Sequence, residues 1–207
     1  MSVSINPTVV KLSRSQSDAA IDVLAHSFYT DPVFRYFWSE QDSALFKTLQ
    51  WFIKILLRYS QPYEHIYTTA DLQGIAMWIP PGKYPLNDLR LLQLGFYALP
   101  FTLQWRKSLQ FLAAFNKIEK LHRGDMPQPH WYLFLLGVAP ESQGQGIGGL
   151  LIEPILNQAD LEKLPCYVET STERGVRFYQ KYGFETVHTV YFESAPPYWL
   201  MKRMPQQ

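Results

Sequence analysis

The segment Trp131-Tyr132-Leu133-Phe134-Leu135-Leu136-Gly137-Val138-Ala139-Pro140-Glu141-Ser142-Gln143-Gly144-Gln145-Gly146-Ile147-Gly148-Gly149-Leu150-Leu151 decides how the chain is read. Its opening apolar run suits a buried strand, and Pro140 ends it. A polar spacer follows, then four glycines within residues 144–149, then apolar residues at helical spacing. A strand feeding a glycine-rich turn at a helix start suits an anion. Without Cβ atoms the backbone can approach a ligand, and the N–H groups of the first helical turn face it. A tight connection with no ligand is the plainer reading; four glycines with no proline among them favour a phosphate cradle.

On either side of this segment the pattern alternates. Upstream, Val9 to Leu12 reads as a short strand. A helix follows from Ser15, with Ser15 or Ser17 as its cap and Asp31-Pro32 as its end or the start of a turn. Asp42 or Ser43 opens a second helix with an apolar stripe from Leu45 to Leu57. His65–Ala70 and Gly74–Ile79 read as a hairpin that Pro80-Pro81-Gly82 stops. Residues 86–122 turn helical, broken at Gly95 and Pro100. Their aromatics (Phe96, Tyr97, Phe101, Trp105, Phe111 and Phe115) suit either a helical pair packed on the core or an apolar substrate wall. Downstream, the helix from about Gly146 contains Pro154, which removes a backbone bond at a cost of ~3 kcal/mol and predicts a kink or an early end. Pro165–Thr170 reads as a strand, Glu173–Lys181 as a helix capped at Gly183, and Phe184–Glu193 and Tyr198–Arg203 as final strands.

Composition narrows the class. The 207 residues suffice for one domain with an insertion at about 86–122, and 47% hydrophobic content can fill a sizeable core. A net charge of +1 gives no nucleic-acid surface. The single cysteine, Cys166, rules out an internal disulfide, fits a reducing compartment, and in its apolar run suits a packed thiol. Residues 1–11 lack the pattern of a secretory signal, and no run reaches the ~18 apolar residues of a membrane span. A cytoplasmic protein without membrane partners is expected.

Three phosphate motifs compete for residues 143–149. The P-loop needs Lys followed by Ser or Thr after its last glycine, whereas Leu150 and Leu151 stand here. The dinucleotide fingerprint is matched by Gly144, Gly146 and Gly149, with Glu169 where a ribose-binding acid belongs. Against it stand the spacer from Pro140 to Gln143 and the fewer than 60 residues that follow the loop. The third motif fits best. Gln143-Gly144-Gln145-Gly146-Ile147-Gly148 matches the [Gln/Arg]-x-x-Gly-x-[Gly/Ala] signature, and the chain resembles the Gcn5-related N-acetyltransferases (GNAT). Val138-Ala139-Pro140 and Phe178-Tyr179-Gln180-Lys181-Tyr182-Gly183-Phe184 resemble that superfamily's neighbouring elements. His130 to Leu133, Gly137-Val138, Gln143 to Gly148, Glu169-Thr170-Ser171 and Phe178-Tyr179 look like its puromycin N-acetyltransferase subgroup. The likeness in order and spacing covers roughly residues 130–203; the first half agrees only in outline.

The resemblance implies a fold, a co-substrate and a set of roles. The fold is mixed α/β (α+β), with a twisted, mostly antiparallel sheet flanked by helices and splayed at the acetyl-CoA site. The activity is transfer of acetyl from acetyl-CoA to a primary amine by direct attack, with no metal. Backbone N–H groups of the loop Gly144, Gln145, Gly146, Ile147, Gly148 and Gly149 would bind the pyrophosphate, and Gln143 at its head is a further cofactor-binding candidate. The pantetheine arm would lie along Leu136-Gly137-Val138, where a bulge opens the sheet and Gly137 suits either that bulge or a close approach. Tyr179 aligns with the family's general acid, and a phenol can donate to a thiolate of similar basicity. Glu169 is the candidate base, with Thr170 and Ser171 able to order a water relay; His130 is a weaker candidate. Many members carry Asn seven residues before the tyrosine and Ala four before it. Thr172 and Gly175 replace them here, so Thr172 would offer a hydroxyl in place of an amide. The partner would be a small-molecule amine, puromycin being one possibility, and the protein a monomer or a homodimer. An acyl-CoA-binding regulatory module without turnover and a dinucleotide-binding oxidoreductase are the alternatives.

Overall fold

The computed structural model describes residues 7–38, 42–102, 105–192 and 195–206. Seven strands form one sheet in the order β1-β2-β3-β4-β5-β7-β6. They are β1 (Val9–Lys11), β2 (Ile66–Thr69), β3 (Gly74–Ile79), β4 (Trp131–Val138), β5 (Cys166–Thr170), β6 (Glu185–Val190) and β7 (Tyr198–Arg203). Only β4 and β5 pair in parallel; the other neighbours are antiparallel. A doubly wound dinucleotide fold requires a mostly parallel sheet, so the oxidoreductase alternative is excluded. Glu193, the expected end of β6, lies outside the described residues.

The interior strand β3 is buried on both faces, and its alternation sorts the helices into two layers. Ile75 and Met77 face α1 (Ser17–Phe28) and α3 (Asp42–Ser60), in a core with Leu24, Leu49 and Ile53. Ala76 and Trp78 face α7 (Ile147–Glu162) and α8 (Glu173–Gln180), in a core with Leu151, Ile155 and Tyr179. Residues 86–125 form α4 (Asp88–Gln93), α5 (Leu99–Thr102) and α6 (Trp105–Asp125). These helices pack on the α1 side, where Leu86, Leu91 and Met126 meet Tyr132 and Tyr167. Of its aromatics Phe96, Phe111 and Phe115 line a cavity, whereas Tyr97, Phe101 and Trp105 stand exposed and belong to neither core nor wall.

Local differences from expectation have physical causes. Asp31-Pro32 opens a further helix, α2 (Pro32–Phe37): the Asp31 carboxylate accepts from Val33 and Phe34 N–H, and Pro32 sits at the first helical position. At the start of α1 the capping position is held by Gln16, not by Ser15 or Ser17, and its side chain makes no capping bond, accepting instead from Ser13. Pro154 does not end α7, which runs on to Glu162. Leu151, Ile152, Ile155, Leu156 and Ala159 are buried on either side of it, and that packing outweighs one lost backbone bond.

Candidate active site

Pairing between β4 and β5 stops at Leu133 and Val168, although β4 continues to Val138 and β5 to Thr170. Beyond that point the two strands splay, which leaves residues 134–138 of β4 bonded to β3 on one side and open on the other. The bulge that turns β4 is at Phe134, where the register with β3 slips between Met77 and Trp78. Gly137 is therefore not the bulge residue. A Cβ there would lie 2.3 Å from Ser27 Oγ and 2.7 Å from Leu24 Cδ2, so the glycine lets α1 pack close against the strand.

Glycines shape the neighbouring turn. Gly144 (φ 81°) and Gly146 (φ 83°) are left-handed, and a Cβ on either would meet only open space. Gly146 caps α7 without a side-chain bond, and among the described residues the N–H groups of residues 144–148 have no partner. They are left for a ligand at the positive end of a 16-residue helix. Gly148 and Gly149 serve packing, since a Cβ at the latter would strike the Tyr182 hydroxyl. Gln143 spends its side chain on structure: Nε2 donates to Val138 O at 3.1 Å, and Oε1 accepts from Arg174 Nη1 at 2.8 Å. Thr172 caps α8, accepting from Gly175 N–H at 3.0 Å, which leaves its hydroxyl proton and one lone pair to offer outward. Gly175 stands where a Cβ would come within 2.1 Å of Thr170 Oγ1, so alanine would not fit.

The splay joins the two faces of the sheet. A cavity of about 900 Å³ runs from Gly144–Gly149 past Leu136, Gly137 and Val138 to Glu169, Tyr179 and the inner face of α6. Tyr179 enters from the α7 side and makes ring contacts with Phe178 (5.1 Å) and Phe184 (5.6 Å). Burial raises its pKa and keeps the phenol protonated. Glu169 follows Val168 on β5 and so points to the opposite, insertion side. There burial pushes its carboxyl up to about 7, against the opposing hydrogen bond from Tyr132 Oη at 3.3 Å.

Behind Glu169 stand two histidines. His122 Nδ1 lies 3.3 Å from Glu169 Oε1, and His122 Nε2 lies 3.0 Å from His130 Nε2. His130 Nδ1 lies 2.8 Å from the carbonyl of Gln128, which can only accept, so that nitrogen carries a proton. Burial lowers His122 to about 3 and His130 to about 4, so each ring is neutral and carries one proton. His130 Nε2 therefore accepts from His122 Nε2–H, and the lone pair of His122 Nδ1 faces Glu169. When Glu169 is protonated, its proton completes the chain toward His122 Nδ1. The His122 ring is held between Tyr84 (centroids 3.9 Å apart) and Tyr167 (3.8 Å). The end of α6 is fixed by Asp125, which accepts from Tyr167 Oη at 2.8 Å.

The structure thus brings the glycine loop, the β4 edge, Thr172, Glu169 and Tyr179 to one cavity. Ser171 lines the same cavity, with its hydroxyl proton donated to Asp31. His130 does not reach Glu169 directly but through His122. Asp31, His122, Tyr132 and Arg174 were missed in the sequence; only Asp31, at a helix-start Asp-Pro, carried a local signal. Cys166 is fully buried and its thiol is pushed up to about 12, as a packed residue should be. Among the described residues no helix is long and apolar enough to cross a membrane.

Comparison with known proteins bears on the same residues. Residues 110–186 match the family model of the acetyltransferase (GNAT) domain. An uncharacterized N-acetyltransferase of Schizosaccharomyces pombe is 28% identical over 177 residues, covering 83% of this chain and 72% of that protein. A solved structure from Corynebacterium glutamicum, described as histone acetyltransferase HPA2 and related acetyltransferase, aligns with a TM-score of 0.69 at 20% identity over 98% of both chains. The Drosophila melanogaster polyamine N-acetyltransferase, which catalyses formation of N-acetylagmatine, aligns with a TM-score of 0.64 at 15% identity, covering 96% of this chain and all of that one. The likeness to these structures is one of fold.

Proposed function

We propose that this chain, an acetyltransferase of the GNAT type, moves the acetyl group of acetyl-CoA to the primary amine of a small molecule by direct attack. One observation carries the reading: a single cavity joins unpaired N–H groups at the start of α7, an open strand edge, and one acid and one base candidate from opposite faces of the sheet. The likeness of residues 130–203 to the puromycin N-acetyltransferase subgroup supports a small-molecule acceptor.

When bound, acetyl-CoA supplies an activated acyl group on a thiol leaving group. The N–H groups of Gly144 to Gly148 fit its pyrophosphate, because no Cβ obstructs Gly144 or Gly146 and the helix dipole favours an anion. The open edge of residues 136–138 offers backbone to the pantetheine amides, apart from the Val138 carbonyl, which Gln143 already holds. Glu169, as carboxylate, accepts the proton that an ammonium must lose before it can attack. The buried phenol of Tyr179 holds a proton beside the departing sulfur. His122 and His130 are positioning residues that hold the Glu169 proton in place when the carboxyl is protonated.

Measuring thiol release from acetyl-CoA with a panel of aminonucleosides, polyamines, arylalkylamines, amino acids and peptide N-termini tests the reading. Amine-dependent release of CoA is expected. Tight acetyl-CoA binding with no release for any amine would replace the enzyme by a regulatory binding module.

A further inference from the structure

We infer that the acceptor is an amine with one ammonium group on a bulky apolar body, an arylalkyl or longer alkyl primary amine, and not a polyamine or guanidino-amine. The inference rests on the acetyltransferase reading above and is drawn from how charge and rings are distributed along the cavity. Its basic lining residues, Arg174, Arg177 and Lys181, all belong to α8 or its end, on the side of the glycine loop. Its acidic lining residues are Asp31 and Glu169. Both act on the Tyr198 phenol, and Ser171, two residues after Glu169 and just past the end of β5, donates to Asp31. Beyond them, toward the insertion, the described lining residues carry no charge.

That far end is built of rings in mutual contact. Phe34 meets Phe52 at 5.6 Å, Phe52 meets Phe96 at 6.3 Å and Phe111 at 6.1 Å, and Phe134 leans on Tyr132 at 5.5 Å. On α6, Phe111, Phe115 and Ile118 recur at helical spacing and all line the cavity. Asp31 ties the two ends together: its carboxylate caps α2, which carries Phe34 into the wall, and faces the end where the amine must react. An ammonium among carboxylates with an apolar tail along the rings satisfies both ends. A second cation at the far end would be desolvated with no carboxylate among the described lining residues there.

The test is a series of amines on the intact protein, read by thiol release and, in parallel, by calorimetric binding. In linear alkylamines from propyl to octyl, kcat/KM should rise about fourfold for each buried methylene until the cavity is filled. 2-Phenylethylamine should exceed agmatine, putrescine and spermidine by about a hundredfold or more, on the order expected when a cation must be desolvated without a partner. Ile118→Glu, which places a carboxylate in the apolar end, should lose the chain-length dependence and gain on agmatine. A flat alkyl series, or agmatine or spermidine ahead of alkylamines of similar length, overturns the inference and leaves acetyl transfer intact. Chain-length-dependent binding without thiol release from any amine would instead overturn the acetyl-transfer reading while upholding the apolar site.

Discussion

Residues 134–149 offer the cavity mainly backbone, whereas residues 86–125 offer it side chains. The first stretch strips away Cβ atoms at Gly144 and Gly146 and leaves N–H groups unpaired at a helix start. The second covers the other end with Phe96, Phe111 and Phe115 and sends His122 to Glu169. Backbone recognition is indifferent to side-chain drift, so it suits a ligand that many different sequences bind alike. Side-chain recognition can be rewritten position by position, which suits an acceptor that differs between relatives. At the splay of β4 and β5 the two meet, and Tyr179 and Glu169 stand on either side of that junction.

The largest effects are expected at the junction. Tyr179→Phe removes one hydroxyl and keeps the ring contacts with Phe178 and Phe184, so the fold should hold. Loss of a general acid should lower kcat by about a hundredfold or more, with acetyl-CoA affinity changed by less than about threefold. Unchanged turnover in single-turnover kinetics would remove the acid role and return Tyr179 to packing.

Glu169→Gln comes next. A base works only when deprotonated, and burial holds Glu169 at about 7. In the native protein kcat should therefore rise about tenfold per unit below pH 7 and level off above it. In the glutamine variant that limb should vanish, and kcat near pH 8 should fall by about ten- to a hundredfold. Stability carries the opposite sign. The folded pKa lies above the ordinary value of 4.5, so the stability Glu169 contributes is fully present below that value and is lost as pH rises through about 7. Glu169→Gln should thus melt higher than the native protein at pH 8 and show no such advantage at pH 4. A pH limb that survives in the variant would shift the base role elsewhere.

The two regions were not equally readable. The loop announced itself because backbone chemistry leaves a compositional trace: nothing but glycine serves at Gly144 and Gly146, and the helix pattern starts at once. Tyr179 and Glu169 were reachable through their spacing from that loop. Asp31 and Ser171 touch across 140 residues, and His122 reaches Glu169 from a different helix. No local pattern encodes such contacts. Gly137 shows why a single glycine misleads: a bulge and a close helix approach call for the same residue, and only Ser27 and Leu24 above it decide. Pro154 misled for a related reason, since the apolar burial that carries α7 past it is tertiary.

Within the backbone half, Gly146→Ala should cost ~1–2 kcal/mol, because a left-handed alanine is strained even where its Cβ meets no neighbour. If the loop relaxes to escape that strain, its N–H groups turn away from the ligand. Acetyl-CoA should then bind about tenfold more weakly, and the melting temperature should drop by about 2–8 °C. Calorimetry with acetyl-CoA and a thermal melt separate the two effects. A variant with native affinity would mean that the loop does not supply the anion site.

The smallest effect sharpens the comparison most. Arg174 donates to the loop's own Gln143 and lines the same cavity from α8. If side chains held the pyrophosphate, Arg174→Ala would match or exceed Gly146→Ala. Arg174 is exposed, and an exposed charge is screened by water and salt, so its contribution should be ~0.2–1 kcal/mol. Acetyl-CoA affinity should therefore fall by no more than about fivefold, and the loss should shrink further as ionic strength rises. The Gly146→Ala loss should stay constant across the same salt series, because strain is not screened. Opposite salt behaviour of the two variants, or a larger loss from Arg174→Ala, would place the anion site on side chains and dissolve the division between the two halves.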